Sequence, residues 1–106
     1  MRKIYLVRHG DPDFPDGIKL CIGTTDIGLG PLGRMRGALA GAELASAGLS
    51  GVFSSPLSRA AQTAGYISSG FLCLDDFREA YEGDWEGLSF DEIRSRWPEF
   101  YRLRGD

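Results

Sequence analysis

The chain has 106 residues, 42% of them hydrophobic and 25% charged, and its 12 Lys and Arg against 15 Asp and Glu give a formal charge of -3. That length holds one domain, spanning 1–106, with a modest core. The acidic balance excludes a general nucleic-acid binder, whose footprint is basic, and no apolar run is long enough to span a membrane.

Cys21 and Cys73 are two isolated thiols with neither metal-ligand spacing nor a disulfide framework. No metal and no cofactor are expected, and a reduced, cytoplasmic location follows as the default. Met1-Arg2-Lys3 runs straight into a strand-like segment, too short for a signal peptide.

Lys3 to Val7 is a short, apolar, β-branched-leaning run. It predicts a buried strand that ends in a tight turn at Gly10 and presents Arg8 and His9, the only histidine of the chain, at its carboxyl end. In open α/β sheets the crevice outside the carboxyl ends of the strands is where ligands bind. A guanidinium beside an imidazole there suits an anionic, phosphorylated substrate, since arginine clamps oxygens in a planar fork and histidine can attack or shuttle protons. A surface Arg-His pair in a turn is the competing reading.

Asp11 to Thr25, rich in Asp, Pro and Gly, reads as a loop. Pro12 and Pro15 spoil any calcium loop, so its aspartates are expected to be solvated. Gly30-Pro31 predicts a helix start, and Leu32, Met35, Leu39 and Ala42 predict its buried stripe. Gly33, Gly37 and Gly41 would allow close packing on a sheet, and Gly48-Leu49 would cap the end.

Gly51-Val52-Phe53-Ser54 is a second strand, and Ser55-Pro56 starts a second helix that buries Leu57, Ala60, Ala61 and Ala64. Arg59 falls in its first turn, where the dipole disfavours a cation by about a few tenths of a kcal/mol. An anion shared with Arg8 at that helix N-terminus would account for it. Gly70 closes the helix and Phe71 to Leu74 is a third strand. Strand, helix, strand, helix, strand implies a parallel sheet with crossover helices. Glu79 to Gly87 is an acidic, aromatic loop. A carboxylate close to a phosphate is costly unless it is kept protonated as an acid, and Glu82, Asp84 and Glu86 read as solvated. Ser89 to Glu92 is a capping box for a last helix, which Pro98 kinks or restarts. There are no internal repeats.

Together these pieces resemble the histidine phosphatase superfamily, in its phosphoglycerate-mutase-like branch. The likeness rests on Leu6-Val7-Arg8-His9-Gly10, on Gly23, Asp26, Leu29 and Gly33, and on the run from Ser54-Ser55-Pro56 through Arg59 to Gln62-Thr63-Ala64. A third block runs from Phe77-Arg78-Glu79 through Gly83 to Trp85-Glu86-Gly87. The resemblance implies a three-layer α/β/α fold with a mostly parallel sheet. It implies His9 as the nucleophile that becomes phosphorylated, Arg8 and Arg59 as the holders of the phosphoryl oxygens, and Glu79 as the acid that protonates the leaving alcohol. Gly23 and Thr24 join Arg8 and Arg59 as expected substrate contacts, and the expected partner is a small phosphorylated metabolite.

Two departures bear on activity. Such proteins usually carry an asparagine where this chain has Pro15, and a second catalytic histidine in a C-terminal half that has no counterpart here. The sequence therefore reads as the amino-terminal part of the fold, truncated. Its phosphomonoesterase activity is expected to be impaired, and the chain is expected to form a homodimer or to associate with the missing C-terminal portion. A non-catalytic module that binds phospholigands is the alternative, as is phosphotransfer of the mutase kind, which the compact Tyr81 to Gly87 loop disfavours.

Overall fold

The computed structural model describes residues 2–104. It divides into two compact units, one made of residues 2–13 and 26–78 and the other of 14–25 and 79–104.

The first unit is α/β. Helix α1 spans Pro31–Leu44, with Gly30 at its N-cap and proline at the first position, where the missing N–H is lost to no partner. Strand β1 (Phe53–Ser54) and strand β2 (Leu72–Cys73) pair in parallel, Phe53 opposite Leu72 and Ser54 opposite Cys73. Between them runs helix α2, Ser58–Ile67, making the βαβ unit that the alternation of elements implies. Leu29, Leu57 and Ala64 are its buried apolar side chains, and Ser54, Arg59 and Thr63 are buried with them.

Three expectations are corrected here. Lys3 to Val7 joins no ladder among the described residues. An apolar run becomes a strand only where neighbours take up its N–H and C=O groups and cover its faces; Ile4 and Leu6 are 88% and 94% exposed, so the second condition fails. The helix expected from Ser55 begins at Ser58 instead. The Ser55 hydroxyl accepts from Leu57 N at 3.2 Å, a local turn that competes with helix, and Leu57 stands as the extended N-cap of α2.

The stripe Leu32, Met35 and Leu39 is exposed, and α1 buries Gly33 and Gly37 instead. Those glycines do serve close packing, but against α2 and the turn after His9 rather than a sheet. A Cβ at Gly37 would stand 2.7 Å from the Tyr66 ring, and one at Gly10 would stand 2.5 Å from Gly33 O. Only bare backbone lets α1 come that near.

The second unit holds α3 (Phe90–Arg96) and α4 (Pro98–Leu103). The Ser89 hydroxyl accepts from Glu92 N at 3.2 Å, as the capping pattern predicts, and Pro98 restarts the chain as a new helix. Ile93 is fully buried, with Cys21 close behind. Burial, then the Glu82 and Glu86 carboxylates, push the Cys21 thiol above its usual range, so it stays protonated. No helix of the described residues is long and apolar enough to cross a membrane.

Candidate active site

His9 lies half-buried between an exposed Arg8 and a buried Gly10. Its Nδ1 is 2.7 Å from the Gly10 carbonyl oxygen. A carbonyl oxygen only accepts, so Nδ1 carries the proton and a neutral ring keeps its lone pair on Nε2.

The turn after His9 is fixed on both sides. Gly10 N donates to Thr63 Oγ1 at 2.9 Å, and that hydroxyl donates to the Arg59 carbonyl at 2.8 Å. Gly30 N donates to Asp11 O at 3.0 Å and Asp13 N to Gly28 O at 2.8 Å, while Arg36 forms an exposed ion pair with Asp11. Gln62 Oε1 accepts from Leu29 N at 2.7 Å, tying the same loop to α2.

Arg59 is 2% exposed. It sits where α2 begins, beside an N-terminus already supplied with a negative charge: Ser58 N donates to Asp26 Oδ1 at 2.7 Å. The Ser58 backbone and side chain, with a lesser contribution from Arg59 and Arg78, hold the Asp26 carboxyl below the usual carboxylate range against the opposing effect of burial. At Ser58 the helix N-terminus therefore answers to this chain's own aspartate. Sequence spacing did not reveal that role, because 32 residues separate donor and acceptor.

His9, Gly10, Thr63 and Arg59 are thus brought together by hydrogen bonds in the first unit, with Arg8 exposed on the same segment. Gly23, Thr24 and Glu79 belong to the second unit. Glu79 is exposed, and its Oε1 accepts from Ala80 N at 3.0 Å. Pro15 lies in a short 3-10 turn, Pro15–Gly17.

Glu86 departs from the expectation of a solvated loop carboxylate. Its oxygens accept from Gly23 N at 3.0 and 3.1 Å, from Thr25 N and Glu82 N at 3.1 Å, and from the Thr25 hydroxyl, with a longer contact from Thr24 N. Burial opposes the charge, but the Thr25 hydroxyl and the Glu82, Gly23 and Thr25 N–H groups outweigh it and pull the carboxyl down to about 2. The N–H groups of Gly23 and Thr24 are therefore engaged by the protein itself.

A carboxyl whose folded value lies below its unfolded one stabilises the fold above the unfolded value. That stability is lost as pH falls through the folded one. Glu86→Gln is accordingly expected to cost about 1.5–3 kcal/mol near neutrality, the scale of hydrogen bonds to a charged group. The gap should close as pH falls from 4.5 to about 2. Both tryptophans, Trp85 and Trp97, lie in this unit, so their fluorescence during urea unfolding reports on it directly. A gap that stayed constant across that pH range would show that the charge is not what the cradle recognises.

The second unit also carries an open groove lined by Glu82, Asp84, Trp85, Trp97 and Phe100. Its walls offer no cation for a phosphate. Among the described residues no group of three or more His, Cys, Asp or Glu side chains could hold a metal ion.

A sequence model described as "Histidine phosphatase superfamily (branch 1)" matches residues 4–106. An uncharacterised phosphatase, PhoE, of Bacillus subtilis is 34% identical over 103 residues, covering 93% of this chain and 53% of that protein. A mycobacterial glucosyl-3-phosphoglycerate phosphatase, solved with VO3, superposes with a TM-score of 0.81 at 31% identity, over 91% of this chain and 49% of its own. An Entamoeba histolytica phosphoserine phosphatase, solved with 3-phosphoglyceric acid, superposes at 0.67 with 29% identity, over 92% and 45% respectively. The chain spans about half the length of these relatives.

Proposed function

Since the chain belongs to the histidine phosphatase superfamily, we propose that it contributes the nucleophile half of a phosphomonoesterase acting on small phosphorylated metabolites. The observation that carries this reading is the Nδ1 to Gly10 hydrogen bond, which leaves His9 Nε2 as the basic, attacking nitrogen. In the first step Nε2 forms a bond to phosphorus while the ester oxygen leaves with the bonding pair and takes a proton from Glu79. Water then attacks the phosphohistidine, giving up a proton to the same carboxylate, and inorganic phosphate departs as the N–P bond breaks. Arg8 and Arg59 hold the phosphoryl oxygens and offset charge as it redistributes in the transition state. Phosphatase relatives include ones named for glucosyl-3-phosphoglycerate and phosphoserine, which supports a compact phosphorylated metabolite as the substrate class.

Binding and chemistry separate by mutation. Arg59→Ala should weaken vanadate binding by about 1.5–3 kcal/mol, the value of a charge-assisted hydrogen bond. Glu79→Gln should leave vanadate affinity nearly intact while slowing hydrolysis of an aryl phosphate, because only proton delivery is lost. Isothermal titration and initial rates read the two effects. The opposite pattern, with Glu79→Gln releasing vanadate and Arg59→Ala retaining it, would invert the two roles. If vanadate binds and the ester is never hydrolysed, the non-catalytic phospholigand module is the correct reading.

A further inference from the structure

We propose that Thr63 is a positioning residue for the nucleophile, acting through the hydrogen-bonded chain from His9 Nδ1 to Gly10, and from Gly10 N through the Thr63 hydroxyl to the Arg59 carbonyl. The inference rests on the phosphatase reading for its catalytic meaning and on geometry for the rest. A buried helical threonine often donates to the carbonyl four residues back, and Thr63 does so to Arg59 O at 2.8 Å. That bond alone says little. What distinguishes Thr63 is its second bond, accepted at 2.9 Å from Gly10 N, 53 residues away.

The hydroxyl has one proton and spends it on Arg59, so its lone pairs are what remain for Gly10. The two bonds therefore fix each other's direction. Thr63 is 4% exposed and Gly10 is buried, so water has little access to replace either bond. Gly10 is also the residue whose carbonyl receives the His9 ring proton. Holding Gly10 N against α2 sets the orientation of that residue, and with it the carbonyl that selects the Nδ1–H tautomer. The same hydroxyl holds the helix turn from which Arg59 projects. One side chain thus couples the proposed attacking nitrogen to the proposed phosphate-binding arginine. The close approach of Gly10 to Gly33 leaves the turn little room to settle elsewhere.

The test uses Thr63→Val, which keeps the shape and removes the hydroxyl, and Thr63→Ser, which keeps the hydroxyl and removes the methyl. His9 is the only histidine in the chain, so every imidazole signal in a 15N spectrum belongs to it. At about pH 8, where histidine is ordinarily neutral, the parent protein and Thr63→Ser should show a single Nδ1–H tautomer. Thr63→Val should show averaged nitrogen shifts, and its Gly10 amide should exchange with solvent at least tenfold faster. With an aryl phosphate, Thr63→Val should lower kcat about tenfold, a difference of about 1.4 kcal/mol in the barrier, with KM changed less than about twofold. Thr63→Ser should restore kcat to within about twofold of the parent, on the same scale.

An unchanged tautomer in Thr63→Val would overturn the proposal. So would equal loss in Thr63→Ser and Thr63→Val, because packing of the methyl would then be the cause. If Thr63→Val does not fold, Thr63→Ser decides by the same spectrum. A parent protein that never hydrolyses the ester refutes the phosphatase reading, and the nitrogen shifts still decide whether Thr63 orients His9.

Discussion

Incubation with a reactive phosphate donor is expected to label His9 with a phosphate that is lost in acid and retained in base, and His9→Ala is expected to abolish the label. The reason lies in the ring's two nitrogens. Nδ1 is committed to the Gly10 carbonyl at 2.7 Å, so a phosphoryl group can be accepted only at Nε2 without breaking that bond. Phosphorylation at Nε2 leaves Nδ1–H in place, and the Gly10 carbonyl then also stabilises the positive character that the ring gains on attack. Arg59→Ala should slow labelling without moving its site, because arginine draws the phosphoryl oxygens and takes no part in the new bond. Mass spectrometry under basic conditions locates the label. Equal labelling of His9→Ala and of the parent would remove the covalent mechanism. Labelling at Nδ1 would show that the Gly10 bond does not direct the attack.

How far the sequence reveals this arrangement depends on whether the deciding interaction is local. Gly30-Pro31 and Ser89 announce helix starts because each acts on N–H groups within a few residues of itself. The alternation around Arg59 likewise discloses the parallel pairing of β1 and β2, whose connection must be a crossover. Three interactions cross long stretches of chain: Asp26 with Ser58 and Thr63 with Gly10 in the first unit, and Glu86 with the Gly23 to Thr25 turn in the second. No periodicity reports them, since each joins a side chain to backbone N–H groups distant in sequence. The α1 stripe differs from its expectation for a related reason. Helical spacing identifies Leu32, Met35 and Leu39 as one apolar face but says nothing of what covers it. The glycines, read as an aid to packing, turned out to be the contact face itself. For Glu86 a signal was present: Gly23-Thr24-Thr25 offers successive N–H groups of the kind that gather an anion. In this structure the anion they gather is the Glu86 carboxylate of the chain itself.

The exposed apolar side chains of the first unit carry the remaining large effect. The 106-residue chain on its own is expected to self-associate at micromolar concentration, each copy presenting its first unit to another. Ile4 and Leu6 are almost fully exposed, and Leu32, Met35, Leu39, Phe53 and Leu72 of the same unit also stand in water. A fully exposed side chain of this kind gains about 1.5–3 kcal/mol when fully covered, and a half-exposed one about half as much. A micromolar complex needs about 8 kcal/mol net, a scale that a few of these residues from each copy can reach after the cost of ordering. The backbone adds a second driving force. A two-stranded sheet is marginal alone, and Lys3 to Val7 joins no ladder among the described residues, so strand pairing across a two-fold axis would satisfy donors and cover apolar surface in one step. Sedimentation velocity should show species heavier than one chain, shifting with concentration. Ile4→Lys with Leu6→Lys should move the distribution towards monomer, since a charge at each position disfavours both the apolar contact and edge pairing. A sharp monomer with cooperative unfolding would show that this chain tolerates its exposed apolar face without a partner. A second copy would then have no part in its stability.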